Sequence, residues 1–277
     1  MWFVENYENR ASLGVKIKKT ILEQQSKFQK ISFYETEYFG KLLTLDGIAM
    51  LSEKDEFVYH EMIVHMPLCV HENPERVLVI GGGDGGAVRE ILKHDTIKEV
   101  ILCEIDEQVV RLCQKHLPIT AEKLTDLRVK LVFEDGAEFI KDYENYFDLI
   151  ITDSTDPIGP GKVLFQEDYY RSIKNALKTN GMMTCQSESP WFYDSILKEM
   201  TDNMCKIFNH VETYIAIIPL YLPGLWTMTF TSDHYSLKNF DNHKSEMISK
   251  LCKYYNPAIH SAALAKPNFL QNIVNNK

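Results

Sequence analysis

The run Arg76-Val77-Leu78-Val79-Ile80 leads directly into Gly81-Gly82-Gly83-Asp84-Gly85-Gly86. This reads as a strand entering a glycine-rich turn that opens a helix. Gly81, Gly83 and Gly86 fit the G-x-G-x-x-G spacing of a nucleotide-binding turn. A dinucleotide would set its pyrophosphate on this loop, where backbone N–H groups and the helix dipole favour an anion. Asp84 repels phosphate there. The loop suits a nucleoside that carries a cation, which points to an adenosyl sulfonium compound with an ammonium group and away from NAD or ATP.

Other carboxylates stand at neighbouring strand ends. Glu104, about twenty positions beyond the turn, follows an apolar strand and is placed to bind ribose hydroxyls. Asp106 fits better as a helix cap. Asp135, before Gly136, can accept from an adenine amino group or can merely cap the next helix, and the pattern does not choose between these roles. Asp153-Ser154-Thr155-Asp156-Pro157 continues into Ile158-Gly159-Pro160-Gly161, a rigid acidic loop in which proline and glycine exclude a helix. Four strand ends that each deliver a carboxylate would repel one another without a positively charged ligand. His60-Glu61-Met62-Ile63-Val64-His65 has one residue too many for the zinc motif H-E-x-x-H, and histidines five apart diverge around a helix, so no metal is expected. The Met-rich positions Met62, Met66, Met182 and Met183 read as core.

The elements that must position these residues are legible in outline. Leu13, Val15 and Ile17 alternate with Gly14, Lys16 and Lys18, short strand-like runs follow at 28–34 and 38–45, and Asp46-Gly47 marks a hairpin. A helix over 55–71 has Asp55 as its cap and Val58, Met62, Met66 and Val70 on one face. Strands at 76–80, 99–104, 128–133, 147–152 and 182–186 alternate with helices, the glycine turn's running to Lys93 and others at 106–116, after Asp135, 165–178 and 191–208. Gly181 is expected just past the end of the fourth of these. Late strands are expected at 211–218 and 226–231, with a helix after them. Alternating βα units predict an α/β fold with a Rossmann-like, doubly wound sheet, preceded by a small N-terminal antiparallel β domain. The boundary is expected at 52/53, giving units 1–52 and 53–277. Ligands in such sheets bind outside the carboxyl ends of the strands.

Net charge −9 over 277 residues, with a pI near 5.5, argues against a nucleic-acid partner and suits a cationic substrate. Six cysteines without a C-x-x-C pair suggest reduced thiols and a cytoplasmic protein. No signal peptide and no membrane span are expected.

With these motifs in place, the chain resembles the polyamine aminopropyltransferases over essentially its whole length. The resemblance rests on Gln25-Ser26-Lys27-Phe28-Gln29, Leu45-Asp46-Gly47, Asp55 to Met62, Gly81 to Gly86, Cys103-Glu104-Ile105-Asp106, Asp153 to Pro157 and Gln186-Ser187-Glu188-Ser189. It implies the methyltransferase-type variant of the Rossmann-like sheet. It also implies transfer of an aminopropyl group from decarboxylated S-adenosylmethionine, a co-substrate rather than a cofactor, to putrescine, giving spermidine and methylthioadenosine. It assigns Asp84 and Gln29 to the donor's ammonium, Glu104 to the ribose and Asp135 to the adenine, with Gly81, Gly83, Gly136, Asp153 and Pro160 completing the donor site. Asp153 and Tyr59 would be catalytic. Tyr59, His60, Asp153, Asp156, Gln186 and Tyr221 would receive the diamine, with Trp2 nearby, and the loop after Asp156 would act as a lid. A homodimer or homotetramer is implied. Two departures stand out: Met50 where many members carry glutamine, and Pro219-Leu220-Tyr221-Leu222-Pro223-Gly224 where Pro-Thr-Tyr-Pro-Ser-Gly is usual. Two rival readings are a methyltransferase of a small amine, using intact S-adenosylmethionine, whose carboxylate Asp84 would repel, and a non-catalytic polyamine-binding module, which would not need the adenosyl set.

Overall fold

The structure, a computed structural model, describes residues 1–7, 10–154 and 159–274. The first five strands are β1 (Trp2–Tyr7), β2 (Ala11–Gln25), β3 (Lys30–Thr36), β4 (Lys41–Leu45) and β5 (Ile48–Ser52), joined in that order as one antiparallel sheet. Asp46 and Gly47 both hold positive φ, at 50° and 80°, as a tight two-residue hairpin requires. The alternation at 13–17 puts Val15 and Ile17 into a small core with Leu42, Ala49 and Leu220. Leu220 comes from the far end of the chain, so this sheet is packed onto the rest of the molecule.

The helices are α1 (Glu56–Leu68), α2 (Gly86–Ile91), α3 (Glu107–His116), α4 (Pro118–Ala121), α5 (Gly136–Phe139), α6 (Glu167–Ala176), α7 (Asp194–Cys205), α8 (Asn242–Ser249), α9 (Pro257–Ala263) and α10 (Asn268–Val274). The remaining strands are β6 (Arg76–Gly81), β7 (Glu99–Cys103), β8 (Val129–Val132), β9 (Phe147–Asp153), β10 (Leu177–Gln186), β11 (His210–Ile217) and β12 (Leu225–Ser232). They form one seven-stranded sheet in the order β11-β12-β10-β9-β6-β7-β8. The five strands from β10 to β8 are parallel, and β12 pairs antiparallel with both β10 and β11. Parallel strands covered on both faces read as continuous apolar runs, which is why 77–80 and 149–151 were legible. The chain order reverses between β6 and β9, where Gly81 lies opposite Asp153. Such a switch point opens a crevice at the carboxyl ends of the strands.

Several elements differ from expectation. α1 is buried on every side, with only Phe57 outside the buried set, because it runs between the large sheet and the small one. Its end at Leu68 falls short of His71. Asp55 sits at its start without capping it: the carboxylate accepts from Ser52 Oγ at 2.5 Å and from the Leu220 N–H at 2.8 Å. α2 stops at Ile91, before Lys93. Gly181 lies inside β10 rather than past a helix, at a register shift between Leu177 and Met182. A glycine at a bulge gives the same sequence signal as one at a helix end.

Candidate active site

A cavity of about 320 Å³ lies at the carboxyl ends of the parallel strands, under the small sheet. The glycine loop, Asp84, Glu104, Asp135, Gly136 and Asp153 line it from the large sheet; Gln29, Tyr59, His60, Gln186 and Tyr221 complete its wall. Asp156 lies outside the described residues, as does the side chain of Pro160. Trp2 is 61% exposed and is not part of the wall.

Two glycines are required by close approach. Gly81 has φ +79°, and a Cβ there would collide with the backbone carbonyl of Asp153. A Cβ on Gly86 would collide with the ring of His60. The glycine spacing therefore serves the β6–β9 contact and seats a histidine against the start of α2. Asp84 Oδ1 accepts from the Gly86 N–H at 2.8 Å.

The His60 ring lies between two carboxylates. Nδ1 is 2.6 Å from Glu56 Oε2, and Nε2 is 3.2 Å from Asp84 Oδ1. Burial disfavours a charged ring, but Asp84 and then Glu56 outweigh it and hold His60 at about 10. Burial likewise opposes the charge on Glu56, yet His60 and Arg89 keep its pKa at about 2. Arg89 clasps Glu56 with Nη1 on Oε1 at 3.0 Å and Nη2 on Oε2 at 2.8 Å.

Asp153 is the other focus. Tyr59 donates its hydroxyl to Oδ1 at 2.7 Å. Oδ2 is buried and has no hydrogen-bond partner among the described residues. Burial and the nearby Asp84 push Asp153 up to about 6, against the pull of His60 and Tyr59. Tyr59, raised well above its ordinary value by burial and by Asp153, keeps its proton.

On the opposite side, Glu104 faces the cavity while Asp106 caps a helix, as expected of Asp106. Glu104 lines the cavity at 8% exposure and is pushed up to about 7 by burial. Asp106 caps α3 through the Gln108 N–H at 3.1 Å, while its Oδ2 accepts from Ser26 Oγ at 2.6 Å and Gln29 Nε2 at 3.2 Å. Gln29 is thus tied to the Glu104–Asp106 side of the cleft. Asp135 caps α5 through the Ala137 N–H at 2.9 Å and also faces the cavity, so both of its suggested environments exist at once.

Toward the small sheet, Gln186 donates to Glu188 Oε1 at 3.0 Å and accepts from the Glu188 N–H at 3.0 Å. Tyr221 donates its hydroxyl to the Met50 carbonyl, and its ring meets Tyr59 at 6.1 Å and Trp226 at 4.8 Å between centroids. Sequence reasoning missed Glu5, Tyr7, Asp55 and Trp226 as wall residues. The alternation that buries Glu5 and Tyr7 on β1 was the available signal. Glu5 Oε2 accepts from the Ala49 N–H at 2.8 Å.

Among the described residues, two groups of side chains have metal-ligand spacing. His60, Asp84 and Asp153 bring ligand atoms within 4.8 Å, but His60 spends both nitrogens on carboxylates. His65, Glu90 and Cys252 form the other group, where Lys93 already holds Glu90 Oε2 at 2.5 Å. The two histidines of the near-zinc motif thus join separate groups along α2, His60 at Gly86 and His65 at Glu90. The first group fits an organic cation.

Comparison with known proteins places the chain in a family. Residues 56–242 match the spermine/spermidine synthase domain, and residues 1–53 match the spermidine synthase tetramerisation domain. The polyamine aminopropyltransferase of Thermoanaerobacter sp. (strain X514) is 43% identical over 273 residues, covering 99% of this chain and 98% of the relative. That of Bacillus subtilis (strain 168) is 42% identical over 274 residues, covering 99% of both. A crystal structure of spermidine synthase in complex with the transition state analogue AdoDATO superposes with a TM-score of 0.97 at 39% identity, covering 99% of this chain and 94% of that one. Spermidine synthase from Thermotoga maritima gives 0.95 at 39% identity with the same coverage. With both family models matched in order and full-length relatives above 40% identity, the chain belongs to the spermine/spermidine synthase family.

Proposed function

We propose that the chain is an aminopropyltransferase that moves the aminopropyl group of decarboxylated S-adenosylmethionine to putrescine, yielding spermidine and methylthioadenosine. The observation that supports this most is the buried Asp153 Oδ2 with no hydrogen-bond partner among the described residues. A buried carboxylate oxygen left unpaired is costly unless a donor arrives, and an amine nitrogen is such a donor. In this reading Asp84 receives the donor's ammonium, Glu104 the ribose and Asp135 the adenine. Gln29 supports the ribose side through Asp106. Tyr59, Tyr221 and Gln186 bound the diamine, with Asp156 as a second anchor. A methyltransferase of intact S-adenosylmethionine fits less well, because Asp84 would repel the donor's carboxylate.

Attack needs a neutral amine, and an alkyl amine has a pKa near 10, so deprotonation at pH 7 costs roughly 4 kcal/mol. A carboxylate beside the ammonium stabilises its charge and opposes that step. The sulfonium acts the other way: two unit charges about 4 Å apart repel by roughly 4 kcal/mol at an effective dielectric near 20. The amine gives its proton to Asp153, and its lone pair attacks the methylene bonded to sulfur. The carbon–sulfur bond breaks, and its electrons return to sulfur as a neutral thioether. Tyr59 orients Asp153 and stays protonated. The donor is consumed, so the reaction itself calls for no cofactor.

The test is mass spectrometry of products from the decarboxylated donor and a panel of amines. Spermidine and methylthioadenosine are expected with putrescine, and Asp153→Asn should lose about 10²- to 10⁴-fold in turnover while donor binding persists. Absence of methylthioadenosine with every amine would sink the proposal. We also read the chain as two units, 1–52 and 53–277, a division supported by the separate strand orders of the two sheets. A homo-oligomer, dimeric or tetrameric, is supported by the match of residues 1–53 to a tetramerisation domain. Six free cysteines support a cytoplasmic location.

A further inference from the structure

His60 has a protein carboxylate at each of its two ring nitrogens. Its side chain is 3% exposed. Both ring nitrogens face carboxylate oxygens, Glu56 Oε2 at 2.6 Å and Asp84 Oδ1 at 3.2 Å. An ionised carboxylate only accepts, so Nδ1 donates to Glu56, and the Asp84 carboxylate close to Nε2 favours a second proton on the ring. Gly86 lets the ring lie flush against α2. The charged and titratable groups around it are Glu56 and Tyr59 on α1, Asp84 on the loop after β6, Asp153 at the end of β9, and Arg89 on α2, which reaches it through Glu56. Arg89 also fixes Glu56 in its ionised form. Asp84 offers Oδ1 to His60 and Gly86, and no described residue bonds its Oδ2.

We infer that His60 is an exchangeable counter-cation: its second proton balances Asp84 ahead of donor binding and is shed to solvent when the donor's ammonium reaches Asp84. This rests on the proposed donor. Two unit positive charges roughly 4 Å apart in a site of effective dielectric near 20 weaken proton binding about a thousandfold. The sulfonium adds to that in the same direction. The imidazolium, held at about 10 before binding, then lies within reach of loss near neutrality. Donor binding is therefore a one-for-one exchange of cations over Asp84, and the neutral ring that remains still accepts or donates one hydrogen bond.

The experiment is titration calorimetry of decarboxylated S-adenosylmethionine without acceptor, near pH 8.5, in two buffers of different protonation heat. At that pH Asp153 and Glu104, at about 6 and about 7, have already lost their protons and contribute nothing. The expected result is release of close to one proton per donor bound, with affinity tightening up to about tenfold per pH unit between pH 7.5 and 9. Methylthioadenosine, which carries no ammonium, should bind wild-type protein without that release. His60→Gln should bind the donor with no buffer dependence. A donor heat identical in both buffers would overturn the inference while leaving the proposed function intact, as would equal release by methylthioadenosine or by His60→Gln. Absence of donor binding to wild-type protein would overturn the proposed function and this inference together.

Discussion

Tyr59 and Asp153 share one hydrogen bond, and each alters what the other can do. The phenol removes one of the carboxylate's two oxygens from contention and leaves the other aimed at a single task. It also draws the Asp153 pKa down from where burial and Asp84 would set it. Tyr59→Phe should therefore shift the acidic limb of the kcat/KM profile to higher pH and cut turnover by about 10- to 100-fold, the value of one hydrogen bond to a charged group. Steady-state rates from pH 5 to 9 check this, and an unmoved limb would show that Asp153 does not control it. At this scale the sequence was informative where a carboxylate followed an apolar strand: Asp84, Glu104, Asp135 and Asp153 all reach the cavity. Glu5 was not visible in that way, because its placement depends on how β1 folds over a different part of the chain.

Among the elements, the strands were legible because β6, β7 and β9 are buried on both faces and leave unbroken apolar runs. α1 was only half legible. Its four-residue stripe marked one face, but a helix enclosed on all sides has no contrasting polar face, and its charged residues are paired internally: Glu56 with His60 and Arg89, Glu61 with the backbone N–H groups of Lys253, Tyr254 and Tyr255. The α1–α2 contact depends on Gly86. Gly86→Ala should force the His60 ring or the helix to move, at a cost of about 1–3 kcal/mol. Urea unfolding should show the lower midpoint, and the donor-linked proton release should shrink with it. An alanine variant with unchanged stability would mean that the contact relaxes freely.

For the whole molecule, stability should follow the opposing charges of the cleft. His60 is raised to about 10, so its contribution is complete below its ordinary value of 6.5 and is lost as pH rises through about 10. Asp153 and Glu104 are also raised, to about 6 and about 7, so they favour the fold at low pH and this favour fades as pH climbs through those values. Glu56, lowered to about 2, stabilises above 4.5 and ceases to as pH falls through about 2. His71, His94 and His260, whose pKa values burial lowers, act against these carboxyls up to about pH 6.5, so ligand-free protein should lose stability from pH 7 to pH 10 in thermal melts, and His60→Gln should flatten that slope. A wild-type curve level across that range would contradict the charge assignments.

Tyr221 anchors itself to a main-chain oxygen at Met50, and every amino acid has that oxygen. Position 50 also lines the cavity, and the hydrogen bond that Tyr221 makes there calls for no particular side chain. A substitution at position 50 should therefore reshape the cavity wall while leaving the Tyr221 hydrogen bond in place, a change that acceptor-competition assays on Met50 variants would read.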